Sequence, residues 1–565
     1  MRKNNKKQNI IQLLLAIAII VIVNYIAGYL YFRIDLTTDK RYTLSEQSKK
    51  VITSINDIVY IEIYLDGEMP IAFQRMRRSL AELMDEFRII AGDNIKYTFI
   101  NPSNSTDQSK RNAIYQELFD RGLNPTNVKD RDREGGVAEK ILFPGAIVSY
   151  QGKEIPLNLL INNPGFSADV NLNNSIQTLE YNFIDAIRKL STTQRKRIAF
   201  IEGQGELDEF QTGDITRELS GYYDIDRVTI KEFVNILEPY EAVIIAGPTE
   251  LYTEKSKFIV DQYLMNGGKI IWFIDAVKVD KDSLSSGSIT FALYNNANID
   301  DQLFKYGVRV NPNVIQDLQC AIIPVNTAVA GTQPKFTPAP WIYYPLINAQ
   351  GNHPVTRNLN LIKTEFPSVI DTVGQNPKIK KEIILSSSQN ARILDVPVLI
   401  SLDQVKDNID PYAFNQSFQP IAVILDGEFE SVFKNRIINE YIAGQEFNYL
   451  EKSVPTKMIV VSDADIIRND VTTRVDGVFL SPLGYDRYTK QTYGNKDLVM
   501  NMVHYLVDKD GIINLRSREI KLRLLDKSVI LNQRLKWQLI NTIIPLLLII
   551  IFAFVWNYLR RKKYS

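Results

Sequence analysis

Ala242-Val243-Ile244-Ile245-Ala246-Gly247-Pro248, then Glu254 to Met265, then Asn266-Gly267-Gly268 and Lys269-Ile270-Ile271-Trp272-Phe273-Ile274-Asp275, is the stretch whose reading decides the fold. A run apolar at every position, not every second one, is what a strand buried on both faces requires. The twelve residues after it have helical length, and Gly267-Gly268 suits a left-handed C-terminal cap. A second buried strand follows directly. Strand, helix and strand in this order predict a parallel pair joined by a crossover, hence an open α/β sheet.

The same alternation extends to both sides. Arg197-Ile198-Ala199-Phe200-Ile201 reads as a buried strand ending at Glu202-Gly203-Gln204-Gly205-Glu206, and Tyr223 to Ile230 as another. Val396 to Leu402, Ile421 to Leu425 and Lys457 to Val461 add three more, and Asp497 to Val507 reads as a helix. Residues 280–378 are rich in Asn, Pro and Gly, and are expected to form an irregular excursion packed over the sheet. Upstream, Ile58 to Leu65 is rich in β-branched and aromatic residues, as strands are. Met76, Leu80, Leu83, Phe87 and Ile90 then recur at helical spacing, and Ile95 to Ile100 resumes as strand. This β-α-β unit is loosely thioredoxin-like in outline but has no C-x-x-C pair. Further helices are expected at Arg111 to Asp120 and Ser175 to Leu190, a hairpin at Gln151-Gly152, and a solvated loop at Arg131 to Gly136. Ser191 to Gln194 marks a boundary between a first unit, 33–190, and a main unit, 195–510.

Both chain ends read as membrane anchors. Gln8 to Phe32 carries no charge, and about 20 apolar helical residues span the ~30 Å core of a bilayer. A cleaved signal peptide has a shorter apolar core of about 7–15 residues and a small-residue cleavage site. Tyr25-Ile26-Ala27-Gly28-Tyr29 offers no such site, so an uncleaved helix at 10–32 is expected. Trp537 to Leu559 is again uncharged, with Pro545 at its centre and Trp537, Trp556 and Tyr558 near its ends, where interfacial aromatics belong. A stalk at 511–536 would lead into it. The tails at 1–9 and 560–565 are basic, and basic flanks mark the cytoplasmic side. Two passes of an inner membrane are therefore expected, with both termini cytoplasmic and the bulk of the chain periplasmic.

Composition narrows the function. The 565 residues carry a net charge of +1, so no global field favours nucleic acid. With two histidines and one cysteine, Cys320, there is no material for a zinc site or a disulfide. Gly203-Gln204-Gly205 lacks the third glycine of a dinucleotide loop, Asp208 standing in its place. Gly267-Gly268-Lys269 precedes a strand, the reverse of a phosphate loop. No nucleotide, metal or other cofactor is expected, and no catalytic group.

One candidate cleft remains. Ligands of open α/β sheets sit beyond the carboxyl ends of the strands. Those ends carry Glu202, Gln204, Glu206, Thr249, Glu250, Asp275, Asp463 and Asp465, which suits a sugar, a peptide or a partner's loop. The alternative is that these acidic loops cap helix N-termini, where negative charge is favoured.

Directly after the first apolar run stands Arg33-Ile34-Asp35-Leu36-Thr37, with Lys40-Arg41-Tyr42-Thr43-Leu44-Ser45 close behind. With Glu202-Gly203-Gln204-Gly205-Glu206, Ala246-Gly247-Pro248, Tyr263 to Lys269 and Asn501 to Leu506, it resembles the auxiliary, substrate-binding-like subunits of ABC transporters, and among them the gliding-motility-associated GldG family. The two-anchor layout matches as well. Members of that family often carry a histidine within the Gly-x-Gly-Glu turn, where this chain has Gln204. The resemblance implies a non-catalytic subunit working with a permease and a separate cytoplasmic ATPase, with an ectodomain that binds cargo or other envelope proteins. A membrane-anchored scaffold or sensor without a transport role is the alternative. Two spans are too few for a transport pore, which by itself calls for a partner.

Overall fold

The computed structural model describes the whole chain except residues 1, 30–42, 132–136, 164–166, 193, 232, 288, 327, 329–332, 334, 350, 352, 375, 407–408, 439–440, 442–446, 476, 509–510, 518–526 and 565. It divides into two compact units, Met1–Arg518 and Glu519–Ser565.

In the first, helix α1 (Arg2–Tyr29) precedes α2 (Glu46–Thr53), β1 (Val59–Ile63), α3 (Ile71–Ala91), β2 (Ile95–Phe99) and α4 (Gln108–Asp120). A hairpin of β3 (Thr126–Arg131) and β4 (Val137–Leu142) follows, then β5 (Gly145–Tyr150), β6 (Lys153–Asn158) and the long helix α5 (Ala168–Ser191). One four-stranded sheet, ordered β2-β1-β5-β6, pairs β1 with β2 in parallel and β1 with β5 antiparallel. The periodic stripe on α3 is core: Met76, Leu80 and Phe87 are fully buried, with Phe87 meeting Phe183 of α5 edge to face at 6.5 Å between ring centroids. The β3–β4 hairpin was not expected. Its strands flank the loop foreseen at Arg131 to Gly136, of which 132–136 lie outside the described residues.

The larger sheet uses β7 (Arg197–Glu202), α6 (Gly213–Leu219), β8 (Asp224–Thr229), β9 (Ala242–Ala246), α7 (Glu254–Met265) and β10 (Lys269–Phe273). Every residue of β9 is buried, as its unbroken apolar run demands. Helix α7 ends in a Schellman turn: Gly268 N–H donates to Tyr263 O at 2.9 Å, Gly267 N–H to Leu264 O at 3.0 Å, and Gly267 has φ +94°.

The excursion is more ordered than its composition suggests. Just after β11 (Val277–Val279), it holds α8 (Lys281–Gly287), β12 (Ile289–Tyr294), α9 (Asp300–Tyr306), β13 (Val308–Val310), β14 (Asn313–Asp317), β15 (Cys320–Asn326), β16 (Phe336–Ile347), β17 (Ile362–Lys363) and β18 (Ile370–Thr372). Pro338, Pro340 and Pro345 disguise β16 as loop. Proline cannot donate to a ladder, yet Pro338 is accommodated opposite Pro324 of β15.

Then come β19 (Ile379–Ser386), β20 (Ala391–Asp395), β21 (Val398–Ser401), β22 (Pro420–Gly427), β23 (Thr456–Val461), β24 (Val471–Arg474), β25 (Gly477–Leu480) and α10 (Asn495–Val507). The seven-stranded order is β19-β22-β23-β10-β9-β7-β8. Strands β23, β10, β9, β7 and β8 run parallel, while β22 is antiparallel to both its neighbours. Two readings change. Strand β19, masked by Lys380-Lys381-Glu382, joins the sheet edge, and β21 leaves it for a separate three-stranded sheet with β11 and β12. Apolar cores cover both faces of the large sheet, one built on α6 and α10, the other on α7. Trp272, fully buried, donates its indole N–H to Met458 Sδ at 3.2 Å.

The second unit holds helix α11 (Lys527–Tyr564). Its 27-residue segment Gln533–Leu559, charged only at Arg534 and Lys536, is unburied and long and apolar enough to cross a membrane. At the other end of the chain Ile10–Tyr25 is a shorter apolar helix, the remainder of the expected span at 30–32 lying outside the described residues.

Candidate functional site

The strand order puts β8 and β9 on opposite sides of β7, so the loops after β7 and β9 diverge there, the position where doubly wound sheets open a crevice. In this chain the two loops are stitched together. Gln204 O accepts the N–H groups of Thr249 (3.1 Å) and Glu250 (2.9 Å), Thr249 Oγ1 donates to Gly205 O at 3.0 Å, and Leu207 N–H donates to Ala246 O at 2.9 Å. Gly203 (φ +112°) and Gly205 (φ +74°) make the turn, in a region closed to most side chains.

The carboxylates here are engaged. Glu202 pairs with Arg227 at 2.5 Å. Glu206 accepts the Tyr252 hydroxyl at 2.6 Å and the Gln204 N–H at 2.7 Å, and its burial pushes its pKa up. Glu250 and Thr249 are exposed. The Gln204 side chain is buried, and its Oε1 has no hydrogen-bond partner among the described residues.

Asp275, Asp463 and Asp465 form a second group beyond β10 and β23. Asp275 Oδ1 accepts Ala464 N–H at 2.7 Å; Asp463 accepts Asp465 N–H and Glu365 N–H, each at 2.8 Å. Here the capping role weighed from the sequence is visible, because Asp463 caps the single 3₁₀ turn Ala464–Ile466. Lys281, at the start of α8, reaches back to Asp465 at 2.8 Å and to Glu365 at 2.5 Å. Lys363 adds a contact to Glu365 at 2.8 Å, and Arg468 approaches Asp465 at 3.5 Å.

Burial, reinforced by Asp465, raises Asp275 to about 7, and the same causes raise Asp463 well above the carboxylate range. Burial works against ionising Glu365 too, but Lys281 and Lys363 hold it well below its ordinary value. Lys281, Lys363, Glu365, Asp465 and Arg468 line a cavity of about 110 Å³, room for a few waters and below the range of ligand sites.

So the eight residues named from the sequence fall into two adjacent groups, touching where Gly247 packs against Ala464. Sequence reasoning missed the cations that complete them, Arg227, Lys281, Lys363 and Arg468. Only Arg227 carried a signal, as the charge opposite Phe200 on the neighbouring strand.

Of the juxtamembrane motif, Arg33, Asp35, Leu36, Thr37, Arg41 and Tyr42 lie outside the described residues. Leu44 is buried, and Ser45 caps α2, taking Ser48 N–H at 3.0 Å while its own N–H donates to Glu180 of α5 at 2.9 Å. His504 is buried against the Tyr223 hydroxyl at 2.7 Å, and burial drives its pKa down to about 4. Burial pushes the Cys320 thiol up to about 11, the opposite of what a nucleophile needs. Among the described residues no group of three or more His, Cys, Asp and Glu side chains is disposed to hold a metal.

Fold and site together define an α/β protein whose sheet edge carries paired, capped charges, attached to an apolar helix of membrane-spanning length. A model of the ABC-type uncharacterized transport system auxiliary family matches residues 195–502, and a domain of unknown function matches 38–149. The chain belongs to that auxiliary family, and so has an accessory role in an ABC transport system. An uncharacterized protein of Borreliella burgdorferi is 23% identical over 99% of both chains. Among solved structures, the N-terminal domain of mmIFT52 matches 56% of this chain at 13% identity and TM-score 0.31. A putative ThuA-like protein from Parabacteroides merdae also matches 56%, at 11% identity and TM-score 0.28.

Proposed function

We propose that the chain is a non-catalytic, substrate-binding-like subunit that serves a permease and a separate cytoplasmic ATPase. Its two apolar ends cross the inner membrane, both termini are cytoplasmic, and the unit carrying the two large sheets stands on the periplasmic side, binding cargo or envelope partners. The family match over 195–502 carries this reading. The self-neutralised charges of the carboxyl edge support the non-catalytic part, since a general acid or base needs an open face toward substrate. The resemblance of the juxtamembrane motif supports assignment to a gliding-motility-associated system, and residues 33–190 are read as a membrane-proximal domain.

A second reading, an envelope scaffold without transport, is favoured by one observation. On the three-stranded sheet of the excursion, Ile289, Phe291 and Leu293 of β12 and Leu399 of β21 are each 46–57% exposed, with Phe291 directly opposite Leu399. An apolar face of this kind suits a protein partner.

Labelling with a membrane-impermeant maleimide tests the topology. In a Cys320→Ser background, a cysteine at the exposed Tyr412 should react in cells whose outer barrier alone is opened. Protection until the inner membrane is broken would refute the periplasmic placement. The purified chain should neither bind nor hydrolyse ATP.

A further inference from the structure

A ligand-sized space lies at the opposite, amino edge of the seven-stranded sheet. It is a cavity of about 990 Å³, within the range of small-molecule sites. Three segments wall it: the turn between β8 and β9, the C-terminal end of α7 with its glycine turn, and residues 447–455 before β23.

Its charged lining is net negative, two carboxylates against one ammonium. Helix α7 ends on this cavity, its last carbonyls taken up by the N–H groups of Asn266, Gly267, Gly268 and Val454. Glu241 and Lys269 both line the space and neutralise each other at 2.5 Å. Glu238 lines it as well, exposed, and its carboxylate has no hydrogen-bond or ion-pair partner among the described residues. The rest of the wall is mixed, with the amides of Asn235, Gln262, Asn266 and Asn448 beside three aromatic rings. The Tyr263 ring lies directly over Gly268, where a Cβ would stand 2.4 Å from its carbons, so the glycine is what lets the ring form this surface. Phe447 faces the space, as does Tyr240, which already stacks on the Arg197 guanidinium at 4.9 Å from its centroid. A carboxylate left over and ring faces are together the chemistry that recognises an ammonium group on an apolar body.

We propose that this cavity binds a small organic cation, with Glu238 as the charge partner and Tyr263 and Phe447 as the apolar walls. The inference rests on the cavity alone and stands or falls independently of the transport role.

Calorimetric titration of the full-length protein in an uncharged detergent, at low ionic strength, tests it with two probes. One is choline chloride; the other is 3,3-dimethyl-1-butanol, its uncharged isostere. Choline should bind and the isostere should not. Glu238→Gln should weaken choline about tenfold, the scale of one charge-assisted contact, while leaving the melting temperature unchanged. Phe447→Ala should weaken it too. Equal binding of both probes would overturn the cationic class. Absence of choline binding up to about 10 mM, or an unchanged affinity in Glu238→Gln, would overturn the site.

Discussion

At its carboxyl edge the seven-stranded sheet gathers Asp275, Asp463, Asp465 and Glu365, yet answers them with Lys281, Lys363, Arg468 and backbone N–H groups, and the space that Asp465, Glu365 and the three cations line is about 110 Å³. At its amino edge three charged side chains among the described residues line about 990 Å³, and one of them, Glu238, has no partner among those residues. The charge-rich edge is the closed one. Density of ionisable residues therefore marks where a fold has been made consistent with itself, whereas a binding site shows as chemistry left unsatisfied beside empty space.

Both edges depend on the sheet between them, and the largest expected effect comes from there. Trp272→Ala should lower unfolding free energy by about 3–5 kcal/mol, the range for emptying a large aromatic site. Denaturant melts would show it, and a loss confined to one edge would break the premise that the two share a support. Lys281→Met comes next. It leaves Asp465 and Glu365 short of a cation, but the Lys281 side chain keeps 32% of its surface exposed, so about 1–3 kcal/mol is expected. A neutral result would mean that the carboxyl edge is not self-neutralised through Lys281.

A pH series sharpens the same contrast. Asp275 is raised from 3.8 to about 7 in the folded protein, so between those values the native state holds a proton that the unfolded chain releases. The unfolded state then binds fewer protons, and stability falls as pH rises through this window. In Asp275→Asn, whose side-chain oxygen can still accept the Ala464 N–H, that fall should flatten. Equal slopes in the two proteins would show that Asp275 ionises freely. The smallest effect is expected for Glu250→Gln, an exposed carboxylate in the β9 loop: within about 0.5 kcal/mol, and no change in choline affinity.

The parallel core was legible because burial on both faces leaves an unbroken apolar run, as in Val243 to Ile245, and because Gly267-Gly268 announces the turn between α7 and β10. The excursion was not. Pro338 and Pro340 read as loop, while the structure sets them in a twelve-residue strand, since one partner on one side spares the missing N–H. The acidic members of the candidate site were legible at strand ends. Their cations were not, because Lys281 and Lys363 reach Glu365 through the fold and no local spacing records that approach. A cavity leaves even less trace: nothing near Glu238 distinguishes it in sequence from any solvated turn residue.

Affinity purification of the tagged full-length protein from native membranes in mild detergent, with mass spectrometry of what accompanies it, tests the central claim most directly. A multi-span permease together with an ATPase is the result this account predicts. Recovery of envelope structural proteins alone, with neither of those two, would contradict it and put the scaffold reading in its place.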